Sequence, residues 1–254
     1  MPLTDREVKS AIRSRWDVSS LKYDTHDGHG IKTIAERDAW KKMLGRALPG
    51  SGLNILDVGC GTGELSLVLA EMSHNVVGLD LSDKMLARAR DKARSSRLNV
   101  KFTPGDAESL KFETGKFDAV VSRHVLWTLP HPDEAMKEWT RVVKAGGTVI
   151  AIDGRWRDGS LPGKARRLAS ELGMLLCERQ NPWKNWYPSE LNTALPHSFG
   201  YSPDEAKRYF ESSGLADVAL TDLNEIREIQ KMGMPLYRKI AFNWTYYLVM
   251  GKKR

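Results

Sequence analysis

A doubly wound α/β fold with a mostly parallel, seven-stranded sheet is what this chain of 254 residues predicts. Three observations carry that expectation. Between residues 53 and 80 an apolar run, a glycine cluster, a helical stretch and a second apolar run follow one another. Downstream, short strand-like runs alternate with helical spacing, the rhythm of parallel strands joined by right-handed crossovers. Near the end, residues 217–221 and 243–250 add two further runs rich in β-forming residues, which complete the sheet.

The first unit is the most informative. Leu53, Ile55, Leu56 and Val58 make a run too brief for a helix and bounded by glycines, hence a buried strand. Gly59, Gly61 and Gly63 follow, and then Leu65, Val68, Leu69 and Met72 recur on one helical face. Residues 75–79 form the second strand, which ends at Asp80, 21 residues beyond Gly59. Glycines let a ligand approach the backbone, and the helix behind them offers free N–H groups. A carboxylate at the tip of the second strand can accept two ribose hydroxyls. The spacing is G-x-G-x-G followed by Glu64, whereas the dinucleotide fingerprint is G-x-G-x-x-G. A glutamate beside a diphosphate is unfavourable, so a nucleoside bearing an amino acid fits better.

Further along, Ser82 is placed to cap a helix reaching about residue 95. Residues 99–103 read as a third strand leading into Pro104-Gly105-Asp106-Ala107-Glu108. A fourth strand, residues 117–121, delivers Ser122-Arg123-His124-Val125-Leu126-Trp127 to the carboxyl edge, where open α/β sheets hold ligands. Pro132 starts a helix, Ala145-Gly146-Gly147 ends it, and residues 148–152 form a fifth strand tipped by Asp153. The expected organisation is an N-terminal helical lid (1–48), a binding core (49–153), an inserted cap (154–200) and a C-terminal completion of the sheet (201–254). The insertion is aromatic and proline-rich, with an amphipathic helix near residues 164–178, and is too aromatic for a disordered linker.

Leu56-Asp57-Val58-Gly59-Cys60-Gly61-Thr62-Gly63, with Asp80 in register, resembles the first motif of class I S-adenosylmethionine-dependent methyltransferases. The resemblance is firm over residues 53–153, loose in the C-terminal pieces and nearly absent in the insertion. It implies a Rossmann-like fold, S-adenosyl-L-methionine as cofactor and S-adenosyl-L-homocysteine as product. By that likeness the cofactor is held by Tyr23, Asp57, Gly59, Cys60, Gly61, Gly63, Asp80, Leu81, Asp106, Ala107, Ser122 and Arg123. Asp106 would accept from the adenine amino group, and Trp16 and Tyr23 would close over the sulfonium end. Methyl transfer is an in-line displacement that needs mainly orientation and desolvation, so it leaves little fixed signature. If a base is used, His124 is the first candidate and His29 the second, with His131 and Asp153 behind them. Arg123 is a candidate for holding an anionic acceptor. Substrate contacts are expected from Trp127, Asp153, Trp156, Trp183, Trp186 and Tyr187. A cap lying with the lid across the strand ends would bound the acceptor pocket with Tyr23, His29, His124 and those aromatics.

The net charge of +7 raises the question of nucleic acid. Residues 49–153 carry thirteen Lys/Arg against fourteen Asp/Glu, so the core is balanced and the excess is spread over the flanks and the insertion. The basic run over residues 84–97 occupies one face of a helix whose other face is apolar, the pattern of a solvated surface. A small-molecule acceptor is therefore expected rather than nucleic acid. An RNA methyltransferase and a non-catalytic nucleoside-binding protein are the alternatives. Cys60 and Cys177 make neither a disulfide framework nor a metal pattern, so no metal is expected and a cytoplasmic location is. No apolar stretch has the length of a membrane span. Acceptor atom and oligomeric state stay open.

Overall fold

The computed structural model describes residues 3–156, 159–179, 181 and 189–254. Its strands are β1 (Asn54–Val58), β2 (Asn75–Asp80), β3 (Val100–Pro104), β4 (Phe117–Arg123), β5 (Val143–Arg155), β6 (Leu215–Asp222) and β7 (Thr245–Lys253). They form one seven-stranded sheet in the order β3-β2-β1-β4-β5-β7-β6. Pairing is parallel from β3 through β5, and β7 is antiparallel to both of its neighbours. The predicted doubly wound, mostly parallel sheet is the observed one. Its direction of winding reverses between β1 and β4, where such sheets open a crevice at their carboxyl ends.

The helices are α1 (Asp5–Ser19), α2 (Ile34–Ala47), α3 (Glu64–Glu71), α4 (Asp83–Ser95), α5 (Pro132–Val142), α6 (Leu161–Gly173), α7 (Ser189–Ala194), α8 (Pro203–Ser212), α9 (Asn224–Met232) and α10 (Leu236–Lys239). The caps explain several starts. Thr4 and Ser202 each form a reciprocal capping box with the glutamate three residues on, and the Ser82 hydroxyl accepts from Met85 N–H at 3.1 Å. Alternation along β1 divides the core. Leu56 and Val58 face a layer with Val8, Ile12, Trp139 and Phe210, while Ile55 faces Trp40, Leu44, Leu69 and Ile152 on the other side.

That division splits the expected lid. α1 and the short 3-10 turn Tyr23–Thr25 border the carboxyl edge, whereas α2 is a core helix whose Trp40 and Leu44 are fully buried. An amphipathic pattern serves either purpose, which is why residues 1–48 read as one unit. Two boundaries also move. β5 begins at Val143, because Val143 pairs with Phe117 and Thr148 with Ala119, and the intervening residues bulge out. The two glycines expected to end the preceding unit sit in that bulge. α6 starts earlier than expected, and its continuation Met174–Glu178 is a wider π turn. α7 has no periodicity long enough to be read, yet Leu191 and Leu195 bury themselves against the α1 layer.

Candidate active site

The glycine turn opens the site. Gly59 has φ +66°, and a Cβ there would lie 2.2 Å from a methyl of Val125, so only glycine lets β1 and the β4 loop meet. Gly61 has φ +54° and a Cβ there would meet only the Tyr23 ring, at 3.8 Å, which leaves its open side facing the cleft. Asp80 braces this turn. Gly61 N–H donates to its Oδ2 and Ser82 N–H to its Oδ1, each at 2.8 Å. Burial pushes this carboxyl up to about 6, against the pull of the two backbone donors.

The cleft is open to solvent, and the space in and above it is about 690 Å³. Lys9, Ile12, Trp16 and Tyr23 form its N-terminal wall, Gly59, Gly61 and Asp80–Leu81 its floor. Gly105–Ala107 and Met85 close one end, Arg123–Val125 and Thr128–Pro130 the other. A nucleoside with an amino-acid tail fits these groups: an open glycine face, a carboxylate at the strand tip and an apolar slot beside Met85.

At the β3 end Asp106 accepts from Glu108 N–H at 2.9 Å and from Lys9 Nζ at 2.7 Å, and Lys9 also pairs with Glu108 at 2.6 Å. At the β4 end the buried guanidinium of Arg123 donates to the carbonyls of Gly28 and His29 and lies 5.3 Å over the Trp40 ring. His124 follows in the left-handed region, φ +61°, held by its N–H donating to Ile152 O at 2.9 Å. Its ring touches those of His29 (5.6 Å), Trp156 (5.1 Å) and Tyr246 (5.5 Å). Tyr23 lies 4.6 Å from His29 and 5.8 Å from Trp16, ring to ring.

Not every expected residue reaches the cleft. Tyr23, Gly59, Gly61, Asp80, Leu81, Asp106, Ala107, Arg123 and His124 line it. Asp57 does not: it faces α3 and accepts from Ser66 Oγ at 2.5 Å, with burial lifting it to about 7. Cys60 packs among Leu67, Leu86 and Phe102 with its thiol pushed up by burial, Gly63 starts α3, and Ser122 is buried in β4. His29 lies behind Tyr23, and Trp127 behind Trp16 at 6.3 Å. Trp156 stands behind His124. Asp153 is buried, accepts from its own following N–H at 3.0 Å, and is lifted to about 8 by desolvation. His131 sits outside, its ring 3.0 Å from Asp5 Oδ2. Trp183, Trp186 and Tyr187 lie outside the described residues.

The histidines are not poised as bases in this arrangement. Burial first, and then the Arg123 charge, drive His29 down to about 3 and His124 well below the usual imidazole range. Both are neutral at physiological pH, and an imidazole whose conjugate acid is that strong takes up a proton poorly. Sequence reasoning passed over Lys9, Ile12 and Met85 in the cleft, and Trp40 and Tyr246 behind it. Nothing local marks them, since Lys9 meets Asp106 across 97 residues of chain.

The fold and the site define a doubly wound domain with a cleft at the carboxyl edge of its sheet. Residues 56–151 match the family model described as a methyltransferase domain. The chain is 36% identical over 140 residues to the demethylmenaquinone methyltransferase of Lactococcus lactis subsp. lactis (strain IL1403), covering 53% of this chain and 56% of that one. It is 34% identical over 143 residues to the malonyl-[acyl-carrier protein] O-methyltransferase of Erwinia pyrifoliae, covering 56% and 50%. The chain thus spans about half the length of these curated relatives. Among solved structures, the [4+2]-cyclase SpnF superposes with a TM-score of 0.66 at 19% identity, over 99% of this chain and 97% of that one. The geranyl diphosphate C-methyltransferase of Streptomyces coelicolor A3(2) gives 0.64 at 18% identity, over the whole of both chains. At such identities the likeness is one of fold.

Proposed function

We propose that the protein is an S-adenosylmethionine-dependent methyltransferase acting on a small-molecule acceptor. The observation that carries this reading is the glycine turn braced by Asp80 at the edge of a cleft roofed by α1 and Tyr23. The floor left open at Gly61 receives the amino-acid tail. Asp80 keeps lone pairs for the ribose hydroxyls, and Asp106 shares its carboxylate between Lys9 and the adenine amino group. When bound, S-adenosylmethionine supplies a methyl group on a sulfonium, so that the acceptor's lone pair forms the new bond as the carbon–sulfur bond breaks and its electron pair stays on sulfur. Trp16 and Tyr23 exclude water from that event. With His124 and His29 neutral and weakly basic, the chain orients the acceptor rather than deprotonating it.

The roof also argues against RNA as acceptor. Lys9 in the cleft wall, and Arg13 and Lys92 on the helices around it, are spent on internal pairs, Lys9 with Asp106 and Glu108, Arg13 with Asp83, and Lys92 with Asp24 and Glu64, while Arg123 is buried. Among the described residues no helix is long and apolar enough to cross a membrane. Calorimetry with S-adenosylhomocysteine tests the reading: the wild type binds it, and a folded protein that does not bind it removes the assignment.

A further inference from the structure

We infer that the acceptor carries an oxyanion, a carboxylate or a phosphate, and that Arg123 anchors it together with Tyr246, Trp156 and Trp40 behind the inner wall of the cleft. The inference rests on the methyltransferase reading and adds the chemical class of the second substrate.

The guanidinium is the starting point. Arg123 is only 9% exposed, and among the described residues no carboxylate pairs with it. One of its terminal nitrogens donates to the carbonyls of Gly28 and His29, while the other, Nη1, has no partner. Removing a cation from water is costly, and the Glu64 and Glu36 carboxylates act on Arg123 only from a distance, without pairing with it. The two carbonyl oxygens hold on Arg123 the place an oxyanion would take, as weaker neutral substitutes.

The surroundings point the same way. The Tyr246 hydroxyl, the Trp156 and Trp40 Nε1 atoms and both ring nitrogens of His124 are buried without a hydrogen-bond partner. They form one connected group: His124 touches Trp156 and Tyr246, and Trp40 lies 6.3 Å from Tyr246 and under Arg123. Buried polar groups in native proteins nearly always have partners, so a cluster of orphans marks where a ligand belongs. A guanidinium, two indole N–H groups and a phenol are all able to donate. The missing partner is thus rich in acceptor oxygens, and the aromatic walls suit a planar or apolar body attached to it. The left-handed backbone of His124 adds strain at the same place, as binding sites often do. The ligand enters by displacing the Gly28–His29 segment from Arg123, since that segment holds the guanidinium in this structure.

Tryptophan fluorescence reads the pocket directly because Trp40 and Trp156 form part of it. The protein saturated with S-adenosylhomocysteine is titrated with benzoate and phenyl phosphate, and with their neutral counterparts benzamide and benzyl alcohol. The inference expects at least one anion to bind tenfold or more tightly than its neutral counterpart. Arg123→Gln should erase that preference. Tyr246→Phe, which keeps the ring and its packing, should weaken the anion three- to tenfold even if the arginine variant fails to fold. S-Adenosylhomocysteine affinity, measured by calorimetry in each variant, should change less than threefold. No preference for either anion in the wild type overturns the inference while leaving the methyltransferase reading intact. Loss of S-adenosylhomocysteine binding in Arg123→Gln with the anion preference retained also overturns it, because Arg123 then serves the cofactor. A wild type that does not bind S-adenosylhomocysteine sinks the underlying reading instead, and the anion preference repeated without it still decides the role of Arg123.

Discussion

The two ends of the cleft are built differently. At the β1–β3 end each charged group has its partner in place: Asp80 with two backbone N–H groups, Asp57 with Ser66, Asp106 with Lys9. At the β4–β7 end a buried cation is held only by two backbone carbonyls, and its Nη1, the ring nitrogens of a neutral histidine and several N–H and O–H groups have no partner. The first end is preorganised and gains little from rearrangement. The second leaves polar groups unpaired that a ligand would satisfy. On the proposed function, the first half is suited to a cofactor that is always the same and the second to a particular acceptor.

Gly61→Val tests the first half hardest. It places a β-branched side chain at φ +54° with its bulk toward Tyr23 and the cleft. We expect no measurable S-adenosylhomocysteine binding by calorimetry, with the circular dichroism of the fold retained; binding within threefold of wild type would show that the cofactor does not cross Gly61. Next in size is Asp80→Ala, which should weaken that ligand by roughly 1.5–3 kcal/mol, the range for hydrogen bonds to charged groups. Because the Asp80 carboxyl sits at about 6 in the free protein, wild-type affinity should also decline as pH falls below that value. An affinity flat from pH 5 to 8 would contradict the role given to Asp80.

Asp153 sharpens the contrast from the second half. Its folded-state value of about 8 lies above the ordinary 3.8, so between those values the native state holds a proton that the unfolded chain releases. Stability from this group is therefore greatest below the unfolded value and is lost as pH rises toward about 8. Asp153→Asn should raise the melting temperature above pH 8, by about 2–4 °C for each 1 kcal/mol relieved, and leave it unchanged near pH 4. An equal effect at both pH values would mean that the carboxyl is not desolvated. The smallest effect belongs to Lys92→Met. This substitution removes partly exposed pairs worth about 0.2–1 kcal/mol each. Limited proteolysis should then cut faster around residues 23–30, and S-adenosylhomocysteine should restore protection. Unchanged cleavage would show that the turn is held by packing alone.

The same contrast explains what could be read from the residues. Strand, glycine turn, helix, strand and acid lie within 28 consecutive positions, so local periodicity revealed the β1–β2 unit and placed Asp80. The chemistry of the other end comes from chain ends and distant strands. Tyr246 is on the last strand and Trp40 on a helix that reads equally well as lid or core; Tyr246 meets both Trp40 and His124 only through the sheet order. The residue type of His124 suggested a base; its burial, which no neighbouring residue announces, makes it a neutral one. The family resemblance of its motif places Asp57 at the cofactor, yet alternation along β1 turns it toward α3.

The fastening of the Tyr23–Thr25 turn sets how exchange at this site should respond to its solution. Lys92 ties Asp24 at 2.9 Å to Glu64 at 2.5 Å, and the Thr62 hydroxyl donates to the same Asp24 at 2.5 Å. These side chains are partly open to water, with Lys92 28% and Asp24 37% exposed, and dissolved ions screen such charges over about 8 Å at physiological ionic strength. The turn is thus held by a bond that salt loosens, over a cleft whose floor is held by burial, which salt hardly touches. Added salt should speed passage in and out while leaving the equilibrium grip of the floor nearly constant, so the residence time of whatever sits beneath Tyr23 is tuned by the medium rather than by the chain.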